Sequence, residues 1–142
     1  MNANKYFIDT NIFLRVIAKD DEKKTRDCEV VIEALTNGHI TGVTSTLVLA
    51  EFAWTCLSFY KLKKTAFTPA INALLGIKRL AILDDYNHVL ALKLYETHSV
   101  KFIDALITSH ATVIKEHLPI LSYDRDFDKL NVRRVEPGEL DL

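Results

Sequence analysis

Glycine is scarce in this sequence. Its four copies, Gly38, Gly42, Gly76 and Gly138, form neither G-x-G-x-x-G nor G-x-x-x-x-G-K, so the backbone cradle that holds nucleotide phosphates is missing. A G-x-S-x-G elbow is absent too, and with it the serine nucleophile of that strand-to-helix turn. The two cysteines, Cys28 and Cys56, form no C-x-x-C and have no partnering histidines, which excludes a disulfide framework and a zinc site and suits a reduced intracellular protein. His39, His88, His98, His110 and His117 show no H-E-x-x-H spacing and are expected at the surface or as helix caps. No 18 consecutive residues are apolar, and the start MNANKYFIDT lacks a basic segment followed by a long apolar run. The expectation is therefore a soluble, unsecreted, cytoplasmic protein with no membrane partner. Net charge is only −1, so any hold on nucleic acid has to be local rather than a bulk attraction.

What is present is apolar material in a regular order. A chain of 142 residues, 49% of them hydrophobic, can bury a core without staples, and one domain over residues 1–142 is expected. Short β-favouring runs at Lys5–Ile8, His39–Thr44, Leu80–Leu83, Pro119–Tyr123 and Val132–Val135 alternate with helical spacing over about 11–18, 23–36, 46–62, 68–76, 86–97 and 102–116. This alternation predicts a three-layer α/β/α fold with a central, mostly parallel sheet of four or five strands. Asn37-Gly38 should close the second helix, Ser45 cap the third, Thr68-Pro69 open the fourth, and Asp84 or Asp85 cap the fifth.

Acidic residues interrupt the apolar runs. In STLVLAEFAWTCL, residues 45–57, Glu51 sits in a segment apolar on nearly every side, which should be buried, and no cationic residue lies three or four positions from it. Phe-Ile-Asp occurs in YFIDTNIFL and again in KFIDALITS, and PILSYDRDFDKL places Asp124, Asp126 and Asp128 after another strand. Asp9 and Asp124 then end strands, while Glu51 and Asp104 lie near the starts of helices. In an open α/β sheet all four come to the carboxyl edge, where ligands bind. Two like charges about 4 Å apart repel by roughly 4 kcal/mol at an effective dielectric of 20, so a cluster of this kind requires lysine or arginine partners, protonation or a divalent metal. An all-oxygen set suits magnesium or manganese. Taken singly, each acid has a plainer use: Asp9 as a helix cap, Glu51 paired with a distant arginine, Asp104 in an exposed pair with Lys101, and Asp124–Asp128 as a solvated turn.

The order Asp-Thr-Asn after a first strand, a glutamate in an apolar helix, FIDALI, and SYDRDFD near the end closely resembles the PIN-domain family, in particular the VapC-type ribonuclease toxins. The resemblance runs from Tyr6 to about Leu130. It implies a central parallel sheet, a Mg2+- or Mn2+-dependent endoribonuclease activity and a cognate antitoxin. It matches Asp9, Glu51, Asp104 and Asp124 to the catalytic, metal-binding acids, Asp126 to a variable accessory acid, and Asn11 and Ser122 to supporting polar positions. Serine at 122 stands where threonine is the more usual residue, and the hydroxyl is kept.

Lys61, Lys63 and Lys64, with Lys23, Lys24 and Arg26, are candidate contacts for an RNA backbone. Apolar helices flanking residues 47–76, together with the habit of the family, suggest a homodimer. Two alternatives from other classes are a receiver-like phosphoacceptor module, disfavoured because Asp9 ends its strand alone, and a catalytically inactive PIN-like binding subunit, disfavoured because all four acids are present.

Overall fold

The computed structural model describes residues 4–142. Five parallel strands, β1 (Lys5–Ile8), β2 (Thr41–Thr44), β3 (Leu80–Ile82), β4 (Ile120–Leu121) and β5 (Arg134–Val135), form one sheet in the order β3-β2-β1-β4-β5. Seven helices accompany them: α1 (Thr10–Ala18), α2 (Glu22–Asn37), α3 (Thr46–Trp54), α4 (Lys64–Leu75), α5 (His88–Thr97), α6 (Phe102–Thr108) and α7 (Ala111–Glu116). The strand order reverses between β1 and β4, and such a switch point opens a crevice at the carboxyl ends of those two strands.

Both faces of the sheet are covered, because alternate residues of a strand point to opposite sides. Phe7 packs its ring 5.5 Å from that of His110, on the α6–α7 side. Ile8 faces α2 instead: a Cβ built on neighbouring Gly42 meets Ile8 Cγ1 at 3.0 Å and Leu35 Cδ2 at 3.1 Å. Glycine is needed there because Leu80 Cδ1 of β3, at 2.9 Å from that Cβ, together with Ile8 and Leu35 already fills the space. Phe7, Ile8, Val43, Ile120 and Leu121 are fully buried; transfer of each such side chain from water contributes about 1.5–3 kcal/mol.

Gly38 ends α2 at φ 78, and its N–H reaches the Ala34 and Leu35 carbonyls, as the Asn37-Gly38 signal predicts. The Ser45 hydroxyl caps α3 by accepting from Val48 N. The strands keep their predicted places; β1 has its predicted length and β2, β3, β4 and β5 are shorter. Three helical expectations need correction. The segment 46–62 leaves α geometry after Trp54, and Thr55–Phe59 is a π turn closed by Tyr60 N donating to Thr55 O at 3.0 Å. The helix expected from 68 begins at Lys64: Ala66 N and Phe67 N reach the Lys63 carbonyl at 2.9 and 3.0 Å, and Pro69 lies inside it. The segment 102–116 breaks at Ser109-His110, where His110 Nδ1 accepts from Thr112 N at 3.2 Å and Nε2 donates to Leu83 O at 2.9 Å.

Neither Asp84 nor Asp85 caps α5. Asn87 does, accepting from Leu90 N at 3.0 Å, while Asp84 accepts from Thr46 N and Oγ1 at the start of α3, at 2.7 and 2.6 Å. The apolar α3 segment is also less buried than its composition suggests. Val48, Phe52 and Cys56 are inside, but Trp54 and Phe59 are 66% and 68% exposed. No helix among the described residues is long and apolar enough to cross a membrane.

Candidate functional site

The pairings Phe7↔Ile120 and Ile8↔Leu121 bring Asp9 and Ser122 side by side beyond the ends of β1 and β4. Asp9 caps α1 with one oxygen, Oδ1 accepting from Thr10 N at 2.8 Å. Its other oxygen, Oδ2, accepts from the Ser122 hydroxyl at 2.6 Å and from Asn11 Nδ2 at 3.2 Å. The plain capping use of Asp9 and its place in a polar site are thus both realised. Asn11 Nδ2 also donates to Ser122 Oγ at 2.9 Å, and Asn11 Oδ1 accepts from Tyr123 N at 3.2 Å. Asn11 and Ser122 therefore lock the two strand ends together.

Asp104, third residue of α6, is 2% exposed. Its Oδ2 is buried without a hydrogen-bond partner among the described residues, a position that normally carries a desolvation penalty of a few kcal/mol. One carboxylate oxygen each from Asp104, Asp124 and Asp126 lies within 4.8 Å of the others. Asp124 caps the 3-10 turn Arg125–Lys129, with Oδ1 accepting from Asp126 N at 3.0 Å, and its Oδ2 accepts from Lys101 Nζ. Asp126 Oδ2 accepts from the Lys101 backbone N–H at 3.1 Å. Asp128 points elsewhere, gripped by Arg134 Nε and Nη2 at 2.9 and 3.2 Å. Asp126 joins the cluster and Asp128 does not.

Glu51 is half-buried on α3 and makes no hydrogen bond or ion pair among the described residues, so the distant arginine is not found. Its charge is nevertheless felt at Asp9. Burial pushes Asp9 up to about 6; the bonds from Ser122 and Thr10 oppose this, and the charges of Glu51 and Asp124 add to it. Asp104 is pushed up to about 8, first by burial and then by the Asp124 charge, with Lys101 opposing and Asp9 adding. Asp124 is held below the ordinary carboxylate range: burial acts upward, but the Lys101 hydrogen bond and the Asp126 N–H outweigh it. Asp9, Asp104 and Asp124 therefore lie within electrostatic reach of one another, whereas Glu51 reaches Asp9 alone. Asp104, Asp124 and Asp126 form the tight group, with Asp9 and Glu51 beside it.

Lys101 is the residue that sequence reasoning undervalues. Its spacing from Asp104 suggests an exposed pair, yet Asp104 is buried and Lys101 Nζ stands 3.7 Å from Asp104 Oδ2 while bonding Asp124. The bond to Asp124, 23 residues away, has no local sequence signal. Among the candidate basic residues, Lys23 pairs with Asp27, Arg26 pairs with Glu22, and Lys24 lies 4.8 Å over the Tyr123 ring. Lys61, Lys63 and Lys64 are exposed and make no ion pair among the described residues.

An all-carboxylate set with an orphaned buried oxygen fits a hard divalent cation such as Mg2+ or Mn2+. Comparison with known proteins bears on the family and the fold. A family model described as the PIN domain matches residues 6–132. No curated protein matches the sequence. The fold is similar to a chain in the crystal structure of VapBC2 from Rickettsia felis bound to a DNA fragment from their promoter. There the identity is 23%, the TM-score 0.60, and 93% of this chain and 98% of that one are covered. It is also similar to PAE2754 from Pyrobaculum aerophilum, at 13% identity and TM-score 0.62, covering 96% of this chain and 91% of that one.

Proposed function

Because the chain belongs to the PIN domain family, we propose that it is a Mg2+- or Mn2+-dependent endoribonuclease, residues 1–142 forming one nuclease domain. The observation that carries this reading is the buried, unpartnered Asp104 Oδ2 facing Asp124 and Asp126 at the switch point of the sheet. A buried carboxyl oxygen without a donor calls for an explanation, and beside two further carboxyl groups a bound cation supplies one.

In this reading Asp104, Asp124 and Asp9 would hold the divalent ion, with Asp126 as an additional ligand. The bound ion would supply Lewis-acid charge at the scissile phosphate and lower the pKa of water there. Glu51, which has no other partner among the described residues, takes the proton from the attacking water. Water adds to phosphorus as the P–O3′ bond breaks, the departing O3′ takes a proton from solvent water and Glu51 returns its proton to solvent, leaving 3′-hydroxyl and 5′-phosphate ends. Ser122 and Asn11 keep Asp9 aimed, and Lys61, Lys63 and Lys64 meet phosphates away from the cut. The family match leaves the receiver-like alternative without support, and the complete acidic set speaks against an inactive binding subunit.

The finer biology in the proposal is a toxin restrained by an antitoxin, acting in the cytoplasm as a homodimer. The neighbouring VapBC2 structure supports the first part, and an apolar groove lined by Phe13, Val16, Ile32, Phe52, Leu74 and Ile77 suits an apolar antitoxin segment. The exposed Trp54 and Phe59 support self-association. Sedimentation showing only monomer at micromolar concentration contradicts the dimer. The activity is tested by incubating wild-type protein and the Asp9→Asn variant with RNA in Mg2+ and in EDTA. Cleavage confined to wild type with metal is expected; cleavage in EDTA or by Asp9→Asn removes the reading.

A further inference from the structure

One residue touches every member of the tight acidic group. Lys101 Nζ bonds Asp124 Oδ2 and stands 3.7 Å from Asp104 Oδ2, while the Lys101 backbone N–H donates to Asp126 Oδ2 at 3.1 Å. We propose that Lys101 is a built-in counter-ion that competes with the divalent cation for the same carboxylate oxygens and so sets the metal concentration at which the site loads. This rests on the metal-dependent reading given above.

The geometry suits an occupant that holds the site and can also leave it. A lysine brings a single charge to three acids, and at 3.7 Å it does not hydrogen-bond Asp104 Oδ2, which stays unpartnered. The ammonium therefore relieves part of the repulsion and leaves in place a demand that a doubly charged ion meets better. The backbone of Lys101 is pinned by Asp126, but the side chain is 61% exposed on a flexible four-carbon stem. It can swing into water without moving α6. A lysine ammonium beside carboxylates is a cation at neutral pH. A site whose ligand-competent form is only a fraction of the population binds with an affinity reduced by that fraction.

Lys129 provides the control. Its Nζ is 3.5 Å from Asp126 Oδ1 and donates to Ser99 O at 3.0 Å, away from Asp104 and Asp124. Removing it changes the local charge by the same amount without freeing the shared oxygens. Titration of Mn2+ into the full chain by calorimetry, with thermal midpoints in EDTA and in Mn2+, compares wild type, Lys101→Met and Lys129→Met. Lys101→Met is expected to bind Mn2+ about ten-fold more tightly and to melt below wild type in EDTA but not in Mn2+. Lys129→Met is expected to change affinity by less than about two-fold. Lys101→Gln gives a second variant should the methionine protein fold poorly. Equal or weaker binding by the Lys101 variants, or an equal gain from Lys129→Met, overturns the competition while leaving the metal site standing. Failure of wild type and both Lys101 variants to bind Mn2+ overturns the metal site and the competition together.

Discussion

Ser122 stands beside Asp9 because β1 and β4 are paired in register, and its hydroxyl uses its full bonding capacity there. It donates to Asp9 Oδ2 at 2.6 Å and accepts from Asn11 Nδ2 at 2.9 Å and from Asp124 N at 3.0 Å. One donor and two acceptor positions are all a hydroxyl has. Ser122→Ala therefore removes three bonds at a fully buried position, stranding the Asp124 N–H and leaving Asp9 Oδ2 and Asn11 Nδ2 only their mutual bond. Leaving buried polar groups unpaired costs about 1–3 kcal/mol, so urea denaturation should show a loss of that order. Asp9 is also deprived of a bond that favours its charged form, so Mn2+ binding should weaken at neutral pH. A variant as stable as wild type would show that the three bonds carry little.

Asp104→Asn should separate function from stability. It removes a carboxylate that burial and Asp124 make hard to ionise, at a position strained for its use. RNA cleavage in Mg2+ should be lost, while the thermal midpoint in EDTA should equal or exceed that of wild type. Metal should then stop stabilising the protein, whereas at a hundred times its dissociation constant it adds about 2.7 kcal/mol to a wild type that binds it. A large drop in the EDTA midpoint would mean that Asp104 is structural.

The raised acids also set a pH dependence. Asp9 at about 6 and Asp104 at about 8 keep protons in the folded chain where an unfolded aspartate, near 3.9, has released them. Fewer protons are then bound by the unfolded state, and stability falls as pH rises. The contribution is whole below roughly pH 4 and is lost as pH climbs through about 6 and about 8. Urea stability in EDTA should accordingly decline from mildly acidic to mildly alkaline buffer. Saturating Mg2+ should abolish the decline, because the ion takes the deprotonated ligands and binds better as pH rises. A flat profile in EDTA would mean that neither acid carries a raised value.

Much of this is legible in the sequence because local signals and packing agree. Lys5–Ile8 is an apolar run closed by Asp9, Gly38 marks a left-handed helix end, and Ser45 is a cap within an otherwise apolar stretch. Hence the sheet, its direction and the four acids at its carboxyl edge can be placed. What fails depends on partners far along the chain. Asp84 looks like a cap for α5, but Thr46, 38 residues earlier, takes both its oxygens. His110 breaks a continuous helical pattern because the Leu83 carbonyl, 27 residues away, binds its ring. Trp54 reads as core in an apolar segment, yet at the end of α3 it lies on the side away from buried Val48 and Phe52 and is exposed. Lys101 looks like a surface partner because its bond to Asp124 is set by tertiary packing alone.

Asp126 and Asp128 cannot be told apart by composition, but their neighbours divide them. Asp126→Asn removes an oxygen from the tight acidic group and an acceptor for Lys101 N, so Mn2+ affinity should fall with little change in urea stability. Asp128→Asn breaks the charged fork to Arg134, which also donates to Glu136 Oε2 at 2.6 Å and to Ser122 O at 3.1 Å. Asp128 is largely exposed, so a decrease of no more than about 1 kcal/mol is expected, with metal affinity unchanged. The reverse pattern would move the accessory role to Asp128.

From Phe52 to Leu83 the chain carries Lys61, Lys63, Lys64, Lys78 and Arg79 and not one acidic residue. A protein of net charge −1 thus keeps one locally cationic stretch of the kind that holds a phosphodiester backbone away from the cut. Substituting Lys61, Lys63 and Lys64 together by serine should weaken single-stranded RNA binding uniformly across sequences. The slope of log affinity against log salt should become shallower by about 2, at roughly 0.7 for each single-strand phosphate that a lysine no longer neutralises. Mn2+ affinity and the thermal midpoint should stay within error of wild type, since these side chains are exposed and bind no acid. An unchanged salt slope would place the RNA on another face, whereas a shallower slope with intact metal binding separates holding the strand from cutting it.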